Sequence, residues 1–319
     1  MGPRMRWVAR PGDGETVGEV LLRAGADEHA LADGRVFLGR RRVRSATEAV
    51  RNGDVLQIAP ARARAAGPTV LVRTADLVAV DKPAGVATIA DHSGASHALS
   101  RLVSDALGLD PARVHPTSRL DREVSGVVVF ALTREAAERL ATARSRGTYS
   151  RRYVAIAARA PDADRGTWSA AIGRARDPRL REAEGRDAVA AQTRYVTCAR
   201  IESGITMLAV MPVTGRTHQI RVHAAYASAP LIGDRSYGGP VRITLPGGRV
   251  IEPGRVALHA ARVVVPDGRG APLTIEAPIP SDLRGLWDAL GGDAAAWEVA
   301  TSCVFASSPL PCSSAPSAR

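Results

Sequence analysis

Apolar residues recur along this chain in two rhythms, and the change of rhythm divides it into a short first unit and a longer second one. Val17, Val20, Leu21 and Ala24 follow the three- and four-residue spacing that gathers side chains on one helical face, which predicts a helix over 16–24. Short strands are predicted at 34–39 and 41–44. Asn52-Gly53-Asp54 is a turn signal ahead of a strand at 55–58. Residues 13–59 therefore read as a small α/β module. Residues 60–68, Pro-Ala-Arg-Ala-Arg-Ala-Ala-Gly-Pro, have linker composition. In the longer unit, 69–290, strand-like runs lie at 77–81, 126–132, 149–157, 192–199, 206–211, 257–265 and 273–277. Helix-like runs lie at 95–107, 134–145, 217–227 and 281–290. Strands outnumber helices and mostly follow one another through turns. The expected architecture is α+β, a largely antiparallel sheet with helices packed on it. From 300 to 319 the chain is rich in Ser, Pro and Ala, the composition of a disordered tail.

Composition narrows the class. Of 319 residues, 45% are hydrophobic but only 4% aromatic, so the core must be built from Val, Leu, Ile and Ala. No run of about 18 apolar residues offers a membrane span. The stretch from Met1 to Arg10 has no apolar core for a secretion signal, so a cytoplasmic protein is expected. Cys198, Cys303 and Cys312 lack metal-ligand spacing. The formal charge of +11 favours a polyanionic partner, since basic side chains displace counterions condensed on phosphates. Lys82 is the sole lysine, which suggests a place that needs a compact ammonium rather than a guanidinium fork.

Several chemistries find no support. The only lysine lies in Asp81-Lys82-Pro83, which rules out a Walker loop, and no HExxH, zinc-deaminase or GxSxG pattern occurs. Three constellations remain. In His115-Pro-Thr-Ser-Arg119-Leu-Asp121-Arg122-Glu-Val-Ser125-Gly126, a charged loop runs into a buried strand. Asp121 stands between two arginines that favour its charged form. Such a carboxylate can act at a sugar carbon or cap a turn in a structural ion pair. In Thr214-Gly215-Arg216-Thr217-His218-Gln219-Ile220-Arg221-Val222-His223, Gly215 permits a tight turn and Thr217 suits a helix cap. Arg216 is placed for a phosphate, and Arg221 could reach a carboxylate such as Asp121. In Tyr149-Ser-Arg151-Arg152-Tyr153-Val-Ala155, basic residues flank an aromatic that could stack on a base or fill a core.

Together, in this order over residues 70–285, the motifs resemble the RluA-type pseudouridine synthase family. Lys82-Pro83-Ala84-Gly85, Arg119-Leu120-Asp121, Ser125-Gly126, Arg152-Tyr153-Val154-Ala155, Thr214 to His223, Gly233-Asp234 with Tyr237-Gly238, and Leu258-His259-Ala260 carry the likeness. The resemblance implies a mixed, largely antiparallel central sheet with flanking helices and a central cleft. It implies an isomerase that turns chosen uridines of structured RNA into pseudouridine, ribosomal RNA first and transfer RNA second. It implies that neither cofactor nor metal is used. Asp121 would detach uracil from its ribose, with nucleophilic and glycal-type chemistry both open. Tyr153 would pack on the base and Arg221 would pair with Asp121. Arg119, Lys82, Arg216, His218, Gln219, Leu258 and Arg152 would contact the RNA. A monomer is expected. Where the family has a histidine before Arg-Leu-Asp this chain has Ser118, and its usual threonine before Ser-Gly is Val124. Residues 13–59 resemble an S4-type RNA-binding module through 39–44 and 50–55. Two rival activities are an RNA-binding assembly factor on the same fold without catalysis, and a carboxylate-based nucleosidase.

Overall fold

The computed structural model describes residues 5–23, 30–31, 36–39, 41–58, 68–89, 98–245 and 250–305. The chain divides into two compact units, Met1–Ala66 and Gly67–Arg319.

The first unit is a four-stranded antiparallel sheet in the order Met5–Val8, Val55–Ile58, Val36–Leu38, Arg41–Arg42, with a helix at Val17–Arg23. Val17, Val20, Val36, Val43 and Leu56 form its core, so the helical spacing read from the sequence does face inward. The Glu19 carboxylate accepts the backbone N–H groups of Glu15 (2.7 Å) and Thr16 (3.2 Å), which caps the helix start. The module begins earlier than residue 13, because Met5–Val8 pairs along the whole of Val55–Ile58. Residues 59–67, most of the expected linker, and Ala24 lie outside the described residues.

The second unit is built on a ten-stranded sheet. Its strands are β1 (Thr69–Arg73), β2 (Leu77–Lys82), β3 (His115–Pro116), β4 (Ser125–Ala131), β5 (Ser150–Ala157), β6 (Arg165–Trp168), β7 (Thr193–Arg200), β8 (Thr206–Pro212), β9 (Leu258–Pro266) and β10 (Pro272–Glu276). The main order is β6-β7-β8-β5-β9-β4-β2-β1, with β10 on β9 and β3 on β4. All pairs are antiparallel except β9 with β4, which run parallel through His259↔Ser125 and Ala260↔Gly126. Gly126 has φ 115°, and a Cβ there would meet the Ala260 carbonyl oxygen at 2.2 Å, so this close approach of two backbones requires glycine.

The strict alternation in β2 sends Val78 and Val80 to one face and Leu77 and Ala79 to the other. The first face carries the helices Leu99–Leu107 and Gln219–Tyr226, and the cleft lies there. The opposite face is covered by Arg134–Ser145 over one half and by Ser281–Ala289 and Ala295–Ser302 over the other. Most expected elements lie within a residue or two of their observed bounds. The helix expected over 95–107 is described from Leu99, with 90–97 outside the described residues. The helix expected over 217–227 starts at Gln219. Ala295–Ser302 is a helix whose Trp297 is buried, so ordered structure extends past 300, and 306–319 lie outside the described residues. Also unforeseen is a three-stranded sheet of Ile172–Arg174, Arg181–Ala183 and Arg186–Val189.

Candidate active site

A cleft of about 600 Å³ opens above the neighbouring strands β5 and β9, over Tyr153 and Leu258. One wall is the loop from Thr117 to Val124. Thr88, Gly85 and Lys82 all fasten it. Thr88 donates its hydroxyl to the Leu120 carbonyl (2.9 Å) and accepts the Leu120 N–H (3.0 Å). The Gly85 N–H donates to the Arg122 carbonyl at 2.7 Å. The fully buried Lys82 ammonium donates to the carbonyls of Val86 (2.7 Å), Pro83 (3.1 Å) and Arg122 (3.1 Å). Burial draws the Lys82 pKa down to about 7, opposed by the nearby Asp121 charge. Its three donors point at three acceptors, a pattern a compact ammonium satisfies and a planar fork does not. The Lys82-Pro83-Ala84-Gly85 segment thus bolts the Asp121 loop to the sheet edge.

The facing wall is the loop from Thr214 into the helix Gln219–Tyr226. Thr217 makes no cap. His218 occupies the cap position in the left-handed region (φ 57°), with no side-chain cap bond. Gln219 does the fastening instead. Its Oε1 accepts the Arg216 N–H (2.9 Å) and the Thr214 hydroxyl (2.6 Å), while its Nε2 donates to the Gln192 carbonyl and the Thr193 hydroxyl, both at 2.9 Å. Two residues on, the buried Arg221 donates Nη1 to Asp121 Oδ2 at 2.9 Å. It forks Nε and Nη2 onto the fully buried Asp234 at 2.8 and 2.7 Å.

His218 stands 3.8 Å from Asp121 Oδ2 through Nε2. Its Nδ1 lies 2.7 Å from the Tyr237 hydroxyl, which already accepts the Arg181 N–H at 3.0 Å. When the phenol donates to Nδ1, the imidazole proton sits on Nε2, the nitrogen on the Asp121 side. Burial, partly offset by Asp121, lowers the His218 pKa, so this ring is neutral at pH 7. Arg221 also lies over the Tyr237 ring, 4.9 Å from its centroid. Tyr153 is buried on the cleft floor, and desolvation raises its pKa, keeping it a neutral phenol. Among the described residues, those lining the cleft include seven arginines (119, 122, 144, 151, 181, 216 and 221) and a single carboxylate, Asp121. The field there attracts an anion.

Residues 76–226 match the family described as RNA pseudouridylate synthase. A ribosomal large subunit pseudouridine synthase D of Xanthomonas campestris pv. campestris is 37% identical over 242 residues, spanning 71% of this chain and 70% of that protein. This chain belongs to the RNA pseudouridine synthase family. An uncharacterized RNA pseudouridine synthase of Mycobacterium bovis is 34% identical over 235 residues, 71% of this chain and 74% of that one. Among solved structures, Human RNA Pseudouridylate Synthase Domain Containing 4 has the same fold. It matches with a TM-score of 0.57 at 21% identity, over 70% of this chain and 93% of that one.

In this pseudouridine synthase, Asp121, Tyr153, Arg221, His218, Arg119, Arg216 and Leu258 meet in one cleft. Three residues expected to contact RNA are placed otherwise. The Lys82 amine is spent on backbone carbonyls beneath the loop. Gln219 lines the cleft, but its amide is spent on the four internal bonds described above. Arg152 points to the opposite face of β5, where its Nη1 donates to the Cys303 carbonyl at 2.9 Å. It is Arg151 that shares the cleft face with Tyr153, as the two-residue strand period requires, and the sequence carried that signal. Asp234 stood within the quoted motifs, but its pairing with Arg221 had no local signature. Thr88 had none either. Of the two departures from the family pattern, Ser118 lies buried with its hydroxyl 3.4 Å from that of Tyr149, and Val124 packs in the core below the loop.

Proposed function

We propose that this pseudouridine synthase modifies uridine in large-subunit ribosomal RNA, with Asp121 as its catalytic carboxylate. The observation that carries the site assignment is the Arg221–Asp121 contact of 2.9 Å, made at the mouth of a basic cleft floored by Tyr153 and Leu258. The reaction breaks the N1–C1′ bond of uridine and joins C1′ to C5 of the same uracil. C5 gives up its proton and N1 gains one, so nothing is consumed. Asp121 acts at the ribose side of that exchange, held by Arg221 and faced by the His218 ring. Tyr153 supplies a flat, neutral surface on which the uracil stays while it is detached and turned. Leu258 closes the floor beside it. Arg119 and Arg216, both exposed on the cleft rim, neutralise RNA phosphates. The choice of large-subunit RNA draws on the names of relatives at 37% and 36% identity, both ribosomal large subunit pseudouridine synthase D.

The test is pseudouridine mapping of total RNA from cells with and without this protein. Loss of one or more large-subunit sites, restored by the wild-type chain and not by Asp121→Asn, is the expected result. Unchanged ribosomal RNA together with a lost transfer-RNA site would overturn the substrate assignment. Release of free uracil from RNA by the purified protein would overturn the isomerase chemistry.

A further inference from the structure

Arg151 is 9% exposed, yet it has no carboxylate partner among the described residues. Its Nη2 donates to the Thr214 carbonyl at 2.9 Å, and its Nε has no hydrogen-bond partner. Its guanidinium lies against Gly215, where a Cβ would stand 3.4 Å from Nη2. Arg144, from the helix Arg134–Ser145, lines the same part of the cleft. It lies over the Tyr149 ring, 5.2 Å from its centroid, and donates to the Thr117 carbonyl. Arg144 too is without an ion pair among the described residues. The contrast with Arg221 is plain: that guanidinium is covered by two carboxylates, whereas these two cations face the cleft with none.

Arg151 is a largely buried cation without a counter-ion, which is unfavourable, and binding an anion removes that penalty; Arg144 stands exposed beside it. The position says which anion. Arg151 and Tyr153 are two residues apart on one face of β5, about 7 Å along the strand. That is comparable to the step from a uracil, through its ribose, to a phosphate. We propose that Arg151, with Arg144 beside it, forms the binding site for a phosphodiester flanking the flipped uridine. The ligand is one RNA phosphate monoanion, bound by a charge-assisted fork and recognised without regard to base. The site anchors the target nucleotide so that its ribose meets Asp121. This inference rests on the cleft being the uridine site.

The experiment uses the full chain and a stem–loop RNA carrying the mapped uridine. A single neutral methylphosphonate replaces the phosphate on its 5′ or its 3′ side. Neutralising one of the two should weaken wild-type binding roughly tenfold, the scale of a hydrogen bond to a charged group. Arg151→Gln should bind the unmodified RNA roughly tenfold more weakly and lose much less than wild type at that phosphate, where Arg144 remains. Arg151→Lys should keep the sensitivity, and it decides the matter if the Gln variant does not fold. Wild-type binding unchanged by both replacements, or an Arg151→Gln variant as sensitive as wild type, would overturn the proposal. Pseudouridine formation on the unmodified RNA is read in parallel. Its absence counts against the reading of the cleft, whereas the coupling between Arg151 and one phosphate counts for or against this site alone.

Discussion

Asp121 and Asp234 share one guanidinium: Arg221 gives Nη1 to the first and the Nε–Nη2 fork to the second. The sharing is unequal. Asp234 is fully buried and makes the two-bond contact, while the Asp121 side chain is 24% exposed and makes one. Asp234 orients the arginine, and the arginine in turn orients Asp121.

Because Arg221 keeps Asp234, Asp121 can lose its charge without leaving a buried cation unpaired. Asp121→Asn is therefore expected to fold with near wild-type stability, bind RNA and form no pseudouridine. Thermal unfolding, filter binding and single-turnover assays check the three parts. A folded Asp121→Asn variant with near-normal pseudouridine formation would refute the catalytic assignment.

Asp234→Asn should behave in the opposite way. It removes the buried partner of a buried arginine, a loss on the order of 3 kcal/mol, and frees Arg221 to swing from Asp121. Chemical denaturation should show the destabilisation, and single-turnover assays a slower rate at saturating RNA. Unchanged stability would show that Asp121 alone suffices to hold Arg221.

Thr88 is buried at the edge of the cleft, and both hydrogen bonds of its hydroxyl end on Leu120, the residue before Asp121. Thr88→Val keeps the shape and leaves the Leu120 N–H and carbonyl without those partners. The expected cost is about 1–3 kcal/mol of stability. The rate constant should fall with RNA affinity nearly unchanged, and a fall in affinity alone would contradict the loop-positioning role.

Tyr153 separates stacking from hydroxyl chemistry. Tyr153→Phe should retain RNA affinity, whereas Tyr153→Ala should lose about 1–3 kcal/mol of binding. Titration of both variants with the same RNA is the measurement. Wild-type binding by both would make Tyr153 a core residue only.

His259 is fully buried between β4 and β5, with Nδ1 2.9 Å from the Ser125 hydroxyl, and burial draws its pKa to about 4. Unfolded histidine titrates near 6.5, so between about pH 6.5 and 4 the unfolded chain binds the extra proton. Stability should therefore fall as pH drops through that window, by roughly 3 kcal/mol from this residue. His218 and His223, also lowered by burial, push in the same direction. Denaturant unfolding between pH 7 and pH 4 should show a shallower decline in His259→Asn than in wild type. An unchanged decline would assign the acid sensitivity elsewhere.

Local pattern was enough to locate most of the strands and helices of the second unit, because their apolar residues recur at periods of two or near 3.6 along continuous stretches. Motif order was enough to point to the family and to name Asp121, Tyr153 and Arg221. Strand alternation also held the assignment of Arg151 rather than Arg152 to the cleft, since residues two apart share a face. The helix Ala295–Ser302 escaped because a short Ala-rich run beside a Ser/Pro tail has little periodic signal, and Trp297 is buried only once the sheet is present. What tertiary structure alone decided is which partners meet. Thr88 and Leu120 are 32 residues apart, Arg221 and Asp121 are 100, and Lys82 reaches Arg122 across 40. Pairings over such separations depend on which strands become neighbours. A hydrogen-bonding side chain carries the same letter whether it faces RNA or, like Lys82 and Gln219, is consumed in holding the backbone that does.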